Sequence, residues 1–225
     1  AVFESFERRH FDVTPMRQEE FSGVLFEETL EIITDPEKAE RVKKGLKKSL
    51  KGTMPNDIFK VFLSEKPDAW KSCFKLIQKV FKGETEIFEN FGDADVITFD
   101  RTLTSVNRER HRMKAFIRFQ KSDDSMFHCV IEPDYNVLPL IAEFFTKRYA
   151  DQKWLIYDIR RKYGLLYDKQ SVSEVYLTAT QQNSLSRPDD IISIDPKEEQ
   201  YQNLWKQYFK STNIEARKNL KLHLQ

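Results

Sequence analysis

The residues best suited to acid–base chemistry lie close together near the middle of the chain, at His111 and Glu109. An imidazole exchanges protons near neutral pH, and a carboxylate two residues away orients it where the backbone is extended. A nuclease or a glycosylase-like hydrolase would use such a pair. A histidine here can equally fix a junction between a helix and a strand through hydrogen bonds, and both interpretations stay open.

Two further carboxylates, Glu132 and Asp134, flank Pro133. They can act as acid and base or bind a metal ion through water, and Asp134 or Asn136 can equally cap the following helix. The sequence has six glycines in all and contains no glycine-rich phosphate loop, no Gly-x-Ser-x-Gly and no His-Glu-x-x-His motif. We therefore expect no bound metal and no cofactor.

The residues around His111 predict a β-hairpin over 108–131. Apolar side chains alternate from Met113 to Phe119, which is typical of a half-buried strand. A polar turn follows, and Met126–Ile131 is the predicted second strand. The other face of the first strand carries Arg112, Lys114, Phe116 and Arg118.

Positive charge is concentrated around this hairpin. From Arg101 to Lys121 seven cations accompany one acid, Glu109, whereas the whole chain has a net charge of only +1. Cations bind phosphates and a phenyl ring can stack on a base, although long side chains can also simply cover Phe116 at a solvated face. The predicted nucleic-acid contacts are Arg108, Arg110, Arg112, Lys114, Phe116, Arg118, Arg148, Arg160 and Arg161.

A second basic segment follows Asp35-Pro36-Glu37, a sequence that predicts the start of a helix ending at Gly52. Apolar residues recur through this segment at helical spacing. Its other positions are basic, at Lys38, Arg41, Lys43, Lys44, Lys47, Lys48 and Lys51. These lysines form either a solvated face or a second surface for phosphates.

The composition is that of an ordinary globular protein, with 225 residues, 40% hydrophobic and 32% charged. Cys73 and Cys129 lie in apolar contexts, which predicts free buried thiols in a reducing compartment. No apolar run approaches ~20 residues, so we expect a cytoplasmic protein with no membrane contact. The opening helix has no capping residue before it, from which we expect that residues precede Ala1 in the natural chain.

Apolar spacing predicts an α+β fold. Helices are expected over 56–63, 68–81, 96–109 and 137–149, and further strands over 154–159, 163–167 and 172–178. The sheet is predicted to be antiparallel, in the chain order strand–strand–helix–strand–strand–strand, with a C-terminal helix from Pro196. The expected division is a mainly helical part (1–107), a sheet core (108–180) and a docked C-terminal segment (181–225), forming one compact unit.

Residues 111–119, 131–140, 144–145, 148–152 and 154–158, together with 35–42, carry a family resemblance. The chain resembles an uncharacterised bacterial family of DNA-metabolism proteins. The resemblance implies a gene beside a radical-SAM protein of DNA modification or repair, and a related domain attached to uracil-DNA glycosylase-like proteins. It implies no activity, and the chain lacks the three-cysteine motif of a radical-SAM cluster.

These observations predict a DNA modification or repair protein that binds DNA or a DNA-bound radical-SAM partner. Two alternatives stay open. One is a nuclease or glycosylase-like hydrolase using His111 and a carboxylate such as Glu109. The other is a protein-only scaffold that docks through its aromatic C-terminal helix.

Overall fold

The computed structural model describes residues 1–17, 29–121 and 126–176. The chain forms two units, one of residues 1–115 and 133–140 and the other of residues 116–132 and 141–225. Helices make up the first unit, and a five-stranded sheet dominates the second. The fold is therefore α+β, as predicted. The predicted C-terminal helix and segment 181–225 lie outside the described residues.

The first unit is built from helices whose apolar faces meet in one core. Its elements are α1 (Val2–Glu7), α2 (Pro36–Ser49), α3 (Met54–Phe62), α4 (Pro67–Phe81), a short 3-10 turn (Ile87–Glu89) and most of α5 (Ala94–Phe116). The core contains Leu46 of α2, Val61 of α3, Leu76 of α4 and Phe99 of α5. Helices α3, α4 and α5 thus each bury several apolar residues at helical spacing.

Two aspartates begin helices of this unit. The Asp35 carboxylate accepts hydrogen bonds from the backbone N–H groups of Glu37 and Lys38, at 2.8 and 3.1 Å, which confirms the predicted start of α2. Asp93 accepts a bond of 2.8 Å from the N–H of Asp95 at the start of α5. These bonds satisfy N–H groups that have no partner within the helix.

The second unit contains a mixed sheet. Its strands are β1 (Gln120–Lys121), β2 (Phe127–Ile131), β3 (Trp154–Asp158), β4 (Tyr163–Tyr167) and β5 (Val172–Tyr176), in spatial order β1-β2-β3-β4-β5. Helix α6 (Leu138–Arg148) lies between β2 and β3 in the chain. The described elements follow the predicted chain order, although β1 is not the first strand that was predicted.

The prediction of a wholly antiparallel sheet is wrong at one position, because β2 and β3 pair in parallel. The other three pairs are antiparallel. A helix between two neighbouring strands provides the crossover that a parallel pair requires, whereas a short turn can join only antiparallel strands. The α6 segment between β2 and β3 is the reason for the difference.

Aromatic rings fill the core of the second unit. Trp154 is fully buried. Its ring lies 5.4 Å from that of Tyr167 and 6.3 Å from that of Phe145, between ring centroids. Phe119 packs edge-on against Phe145 at 5.5 Å. Aromatic residues make up 13% of the chain, and this cluster accounts for part of them.

Each unit contains one free, buried cysteine, as predicted: Cys73 on α4 and Cys129 on β2. Burial raises the pKa of the Cys73 thiol to about 12. Burial also raises the pKa of the Cys129 thiol, to about 11. Of the helices that the structure describes, none has the length and apolar character needed to cross a bilayer.

The strand predicted over Met113–Phe119 is wrong. Helix α5 continues to Phe116, seven residues beyond its predicted end, and β1 contains only Gln120 and Lys121. The segment is rich in arginine, lysine, methionine and alanine, which favour helices, and it has no glycine or proline to end one. The predicted boundary between residues 107 and 108 falls inside α5, and the predicted division of the chain stays a prediction.

Candidate nucleic-acid interface

The candidate interface is the solvent face of α5. Residues Val96, Phe99, Thr102, Val106 and Glu109 of this helix are buried, at steps of three or four. Such steps keep side chains on one face of an α-helix. The opposite face is therefore directed to solvent.

Three arginines follow that solvent face. Arg101, Arg108 and Arg112 are exposed, and spacings of seven and four residues return each to the same side of the helix. The arginine stripe, as we name these three residues, extends about 16 Å along the helix axis at 1.5 Å per residue. Arg101 and Arg108 form no ion pair with any residue that the structure describes. The exposed side chain of His111 lies on the same face.

The other predicted cations of α5 lie elsewhere on the helix. Arg110 and Lys114 are one turn apart and half-buried, and they face away from the arginine stripe. Phe116, the last residue of α5, is 70% exposed. The predicted common strand face of Arg112, Lys114, Phe116 and Arg118 therefore does not form, because the first three of these residues are helical and alternate residues of a helix point to different sides.

Glu109 makes two contacts that hold its carboxylate in place. Its buried carboxylate accepts hydrogen bonds from the Arg112 guanidinium at 2.7 Å and from the backbone N–H of Asp134 at 3.0 Å. Side chains two residues apart on a helix point to different sides. The predicted orientation of His111 by Glu109 required an extended backbone, and here the backbone is helical.

In the second unit, Arg161 also forms an ion pair with a carboxylate. Its guanidinium pairs with Asp158 at 2.8 Å, and the exposed fractions of the two side chains are 9% and 0%. Asp158 also accepts backbone hydrogen bonds from Arg160 and Arg161, at 2.9 and 3.1 Å. Arg161 thus stabilises the β3–β4 turn, and its guanidinium is largely hidden from a phosphate.

The remaining predicted cations of the second unit are exposed. Arg118 donates to the backbone carbonyl of Ile117 at 3.0 Å. The Arg148 guanidinium lies 5.8 Å from the centroid of the Tyr149 ring. Arg160 is exposed at the β3–β4 turn. These three residues keep their solvent access, and their predicted phosphate contacts stay predictions.

The two acids that flank Pro133 are both open to solvent. Glu132 and Asp134 are both exposed, and Asp134 lies 3.6 Å from the Arg112 guanidinium. Across residues 1–17, 29–121 and 126–176, no group of three or more histidine, cysteine or acidic side chains is placed to hold a metal ion.

Arg108 and Arg112 were predicted as contacts from the sequence, but their place in the arginine stripe was not. Arg101 contributes to the arginine stripe, although we predicted no contact for it. A spacing of seven residues from Arg101 to Arg108 and four more to Arg112, in step with buried Phe99 and Val106, was the available signal. This spacing indicates a common face only if the helix is predicted to continue beyond Glu109.

Comparison with known proteins identifies a family. The model of DUF4130, described as a domain of unknown function, matches residues 67–225. The match covers more than half of the chain, so the protein belongs to the DUF4130 family. No curated protein and no solved structure matches the chain.

Proposed function

We propose that the protein binds the phosphate backbone of DNA through the arginine stripe of α5 and acts in DNA modification or repair. One observation carries this proposal: three exposed guanidinium groups lie along one face of a helix whose opposite face is anchored in a core. Guanidinium groups bind phosphates with two parallel hydrogen bonds and keep their charge at all physiological pH values.

The role in DNA metabolism draws on the family resemblance. The motifs at residues 111–119 and 131–158 resemble those of DNA-metabolism proteins found beside a radical-SAM protein. We propose that such an enzyme is the partner of this protein on DNA. The cytoplasmic location that we expect from the sequence is compatible with this role.

The hydrolase alternative gains nothing from the geometry. Glu109 is buried and bound to Arg112 and to the Asp134 backbone, so it does not orient His111. As part of the exposed face, His111 is better placed to contact a phosphate than to activate water. The substitution His111→Ala is therefore expected to leave any nuclease or glycosylase background of the preparation unchanged.

The test is binding to a random-sequence DNA duplex at about 50 and about 200 mM salt. The double substitution Arg101→Ala with Arg108→Ala should make the slope of log Kobs against log salt less negative by about 2, because each arginine that is removed leaves one phosphate unneutralised. Helix α4 offers a matched control in Lys71→Ala with Lys75→Ala, which removes the same charge from a helix of the same unit.

An unchanged slope in the arginine variant would overturn the assignment to α5. So would an equal loss of binding in the α4 control, because that result would reflect net charge alone. Circular dichroism of both variants should match that of the parent protein, since every substituted side chain lies outside the buried stripe of its helix.

A further inference from the structure

We infer that the end of α2 and the residues directly after it carry a second, sequence-independent surface for duplex DNA, formed by Lys44, Lys47 and Lys48 of the helix and by Lys51. The inference rests on the proposed function, in that both surfaces would bind the same polyanion. It concerns a different helix and is tested by different variants. We name these four residues the lysine face.

The positive charge of residues 41–51 is not balanced by acidic residues within this segment. From Arg41 to Lys51 there are six cations and no acidic residue. Arg41 lies over the Phe3 ring at 4.9 Å, and Lys43 pairs with Glu40 at 3.6 Å. The four residues of the lysine face are exposed and form no ion pair with any described residue.

The lysines of the lysine face are closely spaced at the end of α2. Lys44, Lys47 and Lys48 occupy positions i, i+3 and i+4, so three like charges share one side of α2 over about 6 Å. Lys51 follows two residues after the last residue of the helix. Like charges at such spacings destabilise a helix, and the negative helix end offsets this repulsion only within the last turn. A polyanion bound along the helix would relieve the repulsion over its whole length.

The buried side of α2 decides between nucleic acid and a membrane. Leu46 and Leu50 are buried in the core of the first unit, and Val42 packs against it. A membrane-surface helix uses such an apolar face to enter the lipid, and here that face is already occupied. Lysine ammonium groups act as point charges without preference for base sequence, which suits a row of phosphates.

The decisive variant of the full chain is Lys44→Ala with Lys47→Ala, Lys48→Ala and Lys51→Ala. On a random-sequence duplex of about 30 base pairs, the slope of log Kobs against log salt should become less negative by roughly 3 to 4. Replacing the same four lysines by arginine should preserve the slope. Alanine favours helices and removes the repulsion, so the thermal midpoint of the alanine variant should not fall.

Each outcome has a definite meaning. A reduced slope in the alanine variant, with the slope of Lys71→Ala with Lys75→Ala unchanged, supports the lysine face. If the alanine variant has the same slope as the parent protein, the lysine face is overturned. The arginine stripe is then still supported, provided that Arg101→Ala with Arg108→Ala reduces the slope. If only the lysine variant has a reduced slope, the lysine face stands and the α5 assignment fails.

The alternative partners are tested alongside. Binding to phosphatidylserine vesicles but not to the duplex would overturn the inference in favour of a membrane surface. Absence of duplex binding by the parent protein at about 50 mM salt would overturn both DNA proposals together.

Discussion

Each unit of the protein contains an acid and an arginine three residues apart, and the two pairs are used differently. Arg112 of the first unit binds Glu109 at 2.7 Å and remains 50% exposed, whereas Arg161 of the second unit binds Asp158 at 2.8 Å and is 9% exposed. Equal spacing and almost equal bond lengths thus give one arginine that can still reach a ligand and one that is internal. Burial of the guanidinium, rather than the ion pair itself, separates a surface residue from a structural one.

The largest expected effect distinguishes the two arginines by stability. Arg161→Ala should lower the free energy of unfolding by about 3 kcal/mol, the lower end for a broken buried pair, because two backbone N–H groups still bind Asp158. Arg112→Ala should cost about 1–2 kcal/mol, since solvent already screens that pair. Urea unfolding measures both values, with Lys153→Ala as the exposed control. Equal losses of stability in the two arginine variants would break the comparison.

Glycine substitutions compare the packing of the same two units. A Cβ atom at Gly164 would lie 2.8 Å from Tyr157 Cδ2 and 2.9 Å from the Ile156 carbonyl oxygen, whereas at Gly45 it would lie 2.7 Å from the half-buried Phe81 ring. A backbone atom yields less than a ring edge, so Gly164→Ala should cost about 1–3 kcal/mol.

Gly45→Ala should be nearly neutral, because alanine also favours the α2 helix. Thermal unfolding followed by circular dichroism distinguishes the two substitutions. A greater loss of stability at Gly45 would mean that Phe81 is as rigid as the sheet backbone.

A third ion pair, Lys79–Asp93 in the first unit, tests the influence of exposure. The two side chains are 32% and 16% exposed, and the pair spans 2.5 Å. Asp93→Asn keeps an oxygen to cap α5 and should cost less than about 1 kcal/mol. Asp93→Ala also removes the cap and should cost about 1 kcal/mol more.

The pH dependence of these Asp93 variants has a definite sign. The hydrogen bond from Lys79, followed by backbone hydrogen bonds, lowers the pKa of Asp93 below its usual 3.8. The stabilisation by the carboxylate is therefore complete above about pH 5 and is lost as the pH falls through the lowered pKa. Unfolding curves of the parent and of Asp93→Asn should converge as the pH falls below this lowered pKa. A constant difference between them would exclude the ion pair as its cause.

The smallest effect concerns DNA. Arg112→Ala should make the salt slope of duplex binding less negative by about 1, and Arg161→Ala should leave it unchanged. Measured on folded protein at two salt concentrations, this contrast tests whether exposure alone decides which arginine meets a phosphate. A similar change in both variants would contradict the assignment of Arg161 to the interior.

Much of the fold followed from local sequence signals. Asp35-Pro36 marked the start of α2, and the short connection between β3 and β4 gave an antiparallel pair. The alternation of apolar residues from Met113 to Phe119 was misleading, because four such residues fit a strand while their neighbours favour a helix. The hydrophobic pattern that continues from Val96 through Val106 to Met113 was the better guide to α5.

The site was less predictable than the fold, because its geometry depends on contacts distant in sequence. Glu109 is buried since its carboxylate binds the backbone N–H of Asp134, 25 residues away. No local pattern signals such a partner. The predicted orientation of His111 by Glu109 depended on chain neighbours and on an extended backbone, and the segment is helical.

Chemical labelling of the two buried cysteines can measure how often each unit of the protein opens. Only a thiolate reacts rapidly with an alkylating reagent, and Cys73 and Cys129 are buried, one in each unit. In native buffer each thiol can therefore be labelled only during a local or global opening event. Mass spectrometry of the two tryptic peptides would time these events separately. Equal labelling rates would mean that both units open in one cooperative step, and unequal rates would give the free energy of opening of each unit from one unmodified chain.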